Sequence, residues 1–516
     1  MAKGMRRSKV AWAVALVLLL LPAGWAAVAA APVACSLLWG HSPTLVCLLH
    51  GELAKEGLTV DNFERSFSVG YEDMTGSGPQ KGLLQIRGPN GGFIGKGLYP
   101  LNSNTTFFNG VWVQPAGTAC WTIGTFFTGN WANPNNLVLT RWTPGSGTPW
   151  SSPVNATTVH FTPTMLGLSG NRTWGCRVIW ASPTDLFISG CTDVELFVAR
   201  VDKQTLSLVT SWGVSGVASF GSTTPNACPT HATPGAFLAF NFYPQAFIEL
   251  VGNALWLGGT LINDLAGVPL DQDFVMSKWD ATTGALASPF GVQYSRVVGN
   301  DYMKAMAATG QGVYATGTLN PGPGERMQLL AWHQDGSLRP PFYTHGTAPS
   351  RGNDVEAVVT GSTCHVFVGG YDQTNGATWS FTHAVGYGQP LTLPTLWRGV
   401  GSSPNPKAYG PATSLIDEVY DIGLGSGLWA GHVFSVGGVQ FAPSQFGQPL
   451  QCIAPSGAVQ FSNNPSPLTL ADDRATAVVY HSASLGTVFT HGTAFDPGSF
   501  LNCIGHWSAR SSRFKP

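Results

Sequence analysis

Apolar residues along this chain fall in short runs that alternate with polar ones and stop at Gly, Asn, Asp or Pro. A period of two places alternate side chains on opposite faces of an extended backbone, so the pattern predicts strands joined by tight turns. One run recurs and closes on glycine: Ser68-Val69-Gly70, Thr122-Ile123-Gly124, Ile188-Ser189-Gly190, Leu257-Gly258-Gly259, Ala315-Thr316-Gly317, Val368-Gly369-Gly370, Val436-Gly437-Gly438 and Thr490-His491-Gly492. The closing glycines are 53 to 69 residues apart. A strand bearing an aromatic residue follows, then a glycine turn, as in Lys278-Trp279-Asp280 leading to Gly284 and Ala331-Trp332 leading to Asp335-Gly336-Ser337-Leu338. An acid-led strand precedes the glycine run at Asp301, Asp354, Glu418 and Asp473.

Each unit therefore reads as an acid-led strand, a hairpin, a glycine-ended strand and a Trp-bearing strand. Such a unit copied about eight times predicts an all-β fold with a single β-propeller, since one unit cannot bury both of its faces alone. The copy number implies eight blades, or seven if Phe67 to Gly92 forms only part of one. Repeat elements occur at both ends of the array, so the termini can meet and close a ring. Asp335-Gly336-Ser337-Leu338, with Asp354 and Val368-Gly369-Gly370 downstream, resembles the delta-60 type of propeller repeat. The segment from Trp279-Asp280 to Gly284-Ala285-Leu286 resembles quinoprotein-type repeats, with Phe290 where those carry a second Trp. These resemblances imply a fold and little about function.

Composition sharpens the picture. Only 10% of the 516 residues are charged, against about 25% in an average soluble chain. The shortfall speaks against exposed helices, whose outer faces are filled with Glu, Lys and Arg. A formal net charge of −1 excludes a basic nucleic-acid binder. The N-terminus adds an address. Lys3, Arg6, Arg7 and Lys9 precede an apolar run from Val10 to Leu21, and Ala27-Val28-Ala29 offers a small-residue cleavage site. Residues 1–29 read as a signal peptide, 30–57 as an N-terminal segment and 58–516 as the propeller. The protein is then secreted, extracellular or periplasmic. Retention of the apolar run would instead anchor it to a membrane, because no charge occurs between Val10 and Glu52.

Nine cysteines without a CxxC pair fit export and give no zinc ribbon. Cys176 and Cys191 open one strand and follow the next, which predicts a disulfide across a hairpin. The recurring Asp301, Asp354, Asp417 and Asp473 support two readings. They form an acidic rim that binds Ca2+, or each bonds the local backbone and starts its strand. Trp142, Trp279, Trp332 and Trp507 belong to the repeat and are expected in the core. Trp131, Trp150 and Trp397 stand in Pro/Gly/Asn-rich stretches and are the candidates for ligand binding. No nucleophile elbow or phosphate-binding loop is present in its required context, so no catalytic residue is assigned and no cofactor beyond Ca2+ is expected. The sequence thus favours an exported binding module for a protein or carbohydrate ligand at the cell surface. A quinoprotein-like oxidoreductase and a structural envelope or matrix component are the alternatives.

Overall fold

The computed structural model describes residues 36–41, 57–72, 81–99, 104–127, 135–145, 150, 155–221, 246–263, 271–295, 301–319, 324–341, 343–345, 349–372, 375–398, 418–426, 429–442, 445–447, 450–463, 473–481, 487–496 and 506–515. The leader at 1–29, Trp131 and Asp417 lie outside these residues, as do the side chains of Trp397, Asp473 and Trp507. Eight antiparallel sheets follow one another along the chain. They occupy residues 58–99, 105–161, 173–221, 246–294, 301–344, 350–398, 418–463 and 473–515, here blades 1 to 8. Each is a four-stranded meander, and blade 7 carries one extra short strand, Gln445–Gly447. The one helix among the described residues is the single turn Pro163–Leu166.

The fourth strand of blade 8 comes from the other end of the chain. Ser36–His41 pairs antiparallel with His506–Lys515, from Ser36 opposite Lys515 to His41 opposite Ser511. Residues 36–41 therefore belong to the last blade, although the sequence reading placed them in a segment ahead of the array. The first strands of consecutive blades pack against one another, and that of blade 8 packs on that of blade 1. The result is a closed eight-bladed propeller with the first strands innermost. Blade 1 is complete, although its first strand is only Leu58–Val60.

A separate apolar cluster fills each of the eight gaps between neighbouring blades. Most sheets are consequently buried on both faces, and second strands such as Cys120–Phe127 and Asp185–Thr192 are buried at every position. The low charge follows, because only turns, outer strands and the axis are left for ionised groups. Three residues before the repeat glycine, counted from Gly437 in blade 7, stands an aromatic in every blade: Phe67, Trp121, Phe187, Trp256, Tyr314, Phe367, Phe434 and Phe489, all buried. This regularity was missed in the sequence. Trp142, Trp279 and Trp332 are also buried, as expected.

The repeat glycine has a steric cause. In six blades the first strand carries a β-bulge at one equivalent position, at Asn109, Cys176, Lys304, Asn353, Tyr420 and Thr476. The residue before the bulge always faces a glycine: Phe108–Gly124, Gly175–Gly190, Met303–Gly317, Gly352–Gly370, Val419–Gly437 and Ala475–Gly492. The bulge drives a first-strand carbonyl onto the facing residue. A Cβ on Gly124, Gly190, Gly317, Gly370 or Gly437 would collide with the carbonyl oxygen of Phe107, Trp174, Tyr302, Arg351 or Glu418 respectively.

Gly317→Ala or Gly370→Ala should therefore destabilise the protein by about 1–3 kcal/mol, the usual cost of overpacking. Gly310→Ala, whose new methyl meets open space, is the control and should change little. Urea unfolding of the three variants decides; equal midpoints would refute the steric account.

Candidate functional site

Antiparallel strands alternate in direction, which gives the ring two unlike faces. The turns from first to second and from third to fourth strand lie on one, here the hairpin face. The turns from second to third strand and from blade to blade lie on the other, here the crossover face.

The bulges govern what borders the axis. A bulge breaks the ladder and leaves backbone groups to be satisfied from elsewhere. The preceding blade supplies the partner. Asn109 donates from Nδ2 to the Gly175 carbonyl at 2.7 Å, and Asn353 does the same to the Val419 carbonyl at 2.9 Å. Asp354 Oδ2 accepts from the Ile422 amide at 2.9 Å, and Asp421 Oδ2 accepts from the Val478 amide at 2.6 Å. Each contact joins equivalent positions of successive blades. The Thr260 hydroxyl likewise accepts from the Met303 amide at 2.9 Å.

These contacts reassign the aspartates. Asp301, Asp417 and Asp473 stand three residues before a bulge, where blade 6 has Ser350, whereas Asp354 stands one residue after its own bulge. The four are thus not one recurring position. Asp354 is buried and committed to the next blade. Asp301 is buried too, and the Ser295 hydroxyl lies 3.0 Å from it and 2.6 Å from Asp273. The position of Asp301 is an anchoring one: in blade 6 the Ser350 hydroxyl there accepts the Met327 amide of blade 5 at 2.9 Å. Among the described residues no three His, Cys, Asp or Glu side chains gather into a metal-binding group.

Trp150 is no ligand platform. It is fully buried between blades 1 and 2, its Nε1 donates to the Gly117 carbonyl at 2.7 Å, and it meets Phe67 edge-on. Trp397 lies on the outer strand Thr395–Arg398 of blade 6, in register with Thr378. Cys176 and Cys191 are both buried thiols and are not bonded to each other. Cys191 pairs with Trp174, while Cys176 occupies the bulge, so the two residues do not face one another across the hairpin.

The structure brings together a polar group that the sequence reading missed. Half-buried first-strand positions at and just before the bulge border the axis near the crossover face: Phe107 and Asn109, Tyr302 and Lys304, Arg351 and Asn353, Glu418 and Tyr420. Arg351 is held by Glu325 through contacts of 3.0–3.3 Å from Nε and Nη2. Its Nη1 lies 3.8 Å from Glu418, which also accepts from Asn353 Nδ2 at 2.7 Å. The network spans blades 5, 6 and 7. Across blades 3 and 4, Arg177 lies 3.8 Å from Glu249 and over the Phe247 ring. A fixed, planar guanidinium flanked by carboxylates and amides suits recognition of polar groups. The available signal was the scarcity of charge: Arg351 and Glu418 stand at one repeat position in adjacent units.

Two histidine clusters join blades 5 and 6. His345 links the Tyr343 hydroxyl at 2.9 Å to Asp372 at 3.1 Å and packs on Trp379. Burial, with Asp372 nearby, pushes the Tyr343 phenol up, so it stays protonated and serves as a donor. On the hairpin face the buried Tyr314 hydroxyl lies 2.6 Å from His383 Nε2 and 3.2 Å from the Cys364 sulfur. His383 Nδ1 is 2.7 Å from the Ala384 carbonyl, so the ring donates there and accepts from Tyr314. Burial pushes His383 down, and the Arg339 cation adds to the effect.

Two outcomes follow. Asp354→Ala should cost about 1–3 kcal/mol by stranding the Ile422 amide. The cost should be the same in Ca2+ and in EDTA; a Ca2+-induced rise in melting temperature that the substitution abolishes would restore the cation reading. Second, a histidine depressed below its ordinary value of 6.5 binds its proton more readily in the unfolded chain. Stability should hold above that pH and fall as the pH drops below it, and His383→Gln should flatten the fall. Melting temperatures from pH 8 to pH 5 measure both.

No protein family and no curated protein matches the chain. Among solved structures, the chain is similar to the Dos1 propeller, with 10% identity over 91% of this chain and 95% of that one at a TM-score of 0.45. Sqt1 of Chaetomium thermophilum, solved bound to the N-terminus of ribosomal protein L10, gives 9% identity over 86% and 97% at 0.45. The polysaccharide lyase Uly1 gives 11% over 80% and 92% at 0.41. At these scores the likenesses add nothing to what the eight sheets show by themselves, which is a β-propeller.

Proposed function

We propose that the protein is an exported binding module that holds a protein ligand at the axial rim on the crossover face. The observation that carries this reading is the Glu325–Arg351–Glu418–Asn353 network. In a chain with 10% charged residues, three charges from three blades converge on one part of the rim. A ring scaffold holds such groups rigidly, and preorganised polar groups lose little entropy when a ligand arrives. The carbohydrate alternative rested on exposed indoles, and Trp150 does not supply one. Export rests on the leader-like residues 1–29 alone.

Arg351→Ala, made together with Glu325→Gln so that no buried carboxylate is left unpaired, should weaken capture of a surface partner at least tenfold while leaving the melting temperature nearly unchanged, because Arg351 is about 30% exposed in the folded protein. A pull-down from intact cell surfaces beside a glycan array reads this out. Retention of the same partners by the variant would count against the rim. N-terminal sequencing of the secreted protein tests the leader, with a new terminus expected near residue 30.

A further inference from the structure

The hairpin face carries a second, different surface. Among the described residues, six large apolar side chains are exposed on its turns from third to fourth strand in blades 3 to 6: Val214, Leu286, Leu338, Val385, Tyr387 and Leu393. The most exposed are Val214 at 81%, Leu393 at 77% and Tyr387 at 72%. Scattered apolar residues are ordinary, whereas apolar side chains gathered on adjoining turns mark a contact surface.

The segments between third and fourth strands of blades 3 to 6 run over 203–216, 281–291, 333–341 and 385–394. They are tied to one another. Trp212 Nε1 donates to the Ala281 carbonyl at 3.0 Å, and the Gly213 amide donates to Thr283 at 2.8 Å. Lys278 reaches Gln334 Oε1 at 2.6 Å, and the Leu391 amide donates to Pro340 at 3.0 Å. Four turns from four blades thus form one continuous, fixed arc.

Charge on the arc has a single sign. Its basic side chains are drawn inward. Lys203 is buried against the Ser182 carbonyl, with the Trp112 ring beside it. Lys278 lies over Trp256, and Arg339 is buried against the Gln389 and Gln311 carbonyls. His333 and His383 are buried. No Lys or Arg is exposed among the described residues of the four segments. Asp202, Asp280 and Asp335 remain at the turns, where backbone and hydroxyl donors from Thr205, Thr283 and Ser337 hold the carboxyls below the usual range.

We propose that the arc over blades 3 to 6 docks a second protein through an apolar anchor flanked by Lys or Arg. The apolar side chains would receive the anchor, and the three carboxylates would select the flanking cations. An anionic bilayer fits poorly, because the arc offers it no exposed cation. This surface is independent of the axial rim and lies on the opposite face, so the two together would let the propeller bridge two partners.

The test uses the full chain and two fluorescein-labelled peptides. One has a Leu-Trp-Leu anchor between Lys/Arg flanks, and the other has Glu in place of each Lys and Arg. Anisotropy should show at least tenfold tighter binding of the basic peptide, weakening as salt rises. Hydrogen exchange should show protection at 281–291, 333–341 and 385–394. The triple variant Val214→Ser, Tyr387→Ser, Leu393→Ser, at the three most exposed positions, should lose at least fivefold in affinity with its melting temperature nearly unchanged, and Asp280→Asn with Asp335→Asn should narrow the preference between peptides. Absence of binding, equal binding of both peptides, or protection on the crossover face would overturn the proposal. So would self-association through the arc in sedimentation runs, or binding to anionic vesicles in its place.

Discussion

The contact on which most of this ring depends is the approach of a bulged first-strand carbonyl to a glycine on the second strand. The bulge needs the glycine, because any side chain there would occupy the space of the carbonyl oxygen. The glycine in turn pins the register, since sliding the pair by one residue would put a β-carbon against that oxygen. The bulge-to-glycine pairing repeats at one level in six blades, and the carbonyl contact is seen in five of them, so it aligns the blades as well as the strands within each. The bulge also leaves backbone groups that the previous blade's Asn or Asp satisfies. Local strand irregularity is thereby converted into adhesion between blades.

The same geometry accounts for the two faces. Near the crossover face, the half-buried residues just before each bulge border the axis, and there the chain places Arg351, Glu418, Lys304 and two tyrosines. On the hairpin face the turns themselves are the surface. Their aspartates hold the turn through Oδ1, and their lysines lie across aromatic rings. What is left to meet solvent there is apolar, carries a hydroxyl or is a turn carboxylate. The chain has few charges, and position in the repeat decides whether each one faces the axis or braces a turn.

Much of the architecture was legible. The glycine spacing marks the second strands, the Trp-bearing runs mark the third, and the acid-led runs mark the first. Several fourth strands were not legible, because they are short outer strands such as Tyr343–Thr344 and Val292–Tyr294 with no apolar pattern to betray them. The aromatic three residues before each repeat glycine was visible but changes identity among Phe, Trp and Tyr, which hides it from a search for one residue type. The site was less legible. Asp354 looked equivalent to Asp301 because both begin an apolar run, yet the bulge between the two frames separates them by four positions. A bulge leaves no mark in composition, and every register argument that crosses one, including the pairing of Cys176 with Cys191, is shifted.

Scarcity of charge links fold to function. Sheets buried on both faces exclude ions from most of the chain, because an unpaired buried charge costs more than a blade interface can return. Ionised groups survive where a partner from another blade or a turn backbone meets them. Arg351 meets Glu325 and Glu418 from the blades on either side, so its geometry is set by three blades at once. A displacement of any one of those blades would move the guanidinium. The ring is closed by pairing of Ser36–His41 with His506–Lys515, which holds all eight blades in one circuit. The precision of the rim is therefore a property of the whole ring.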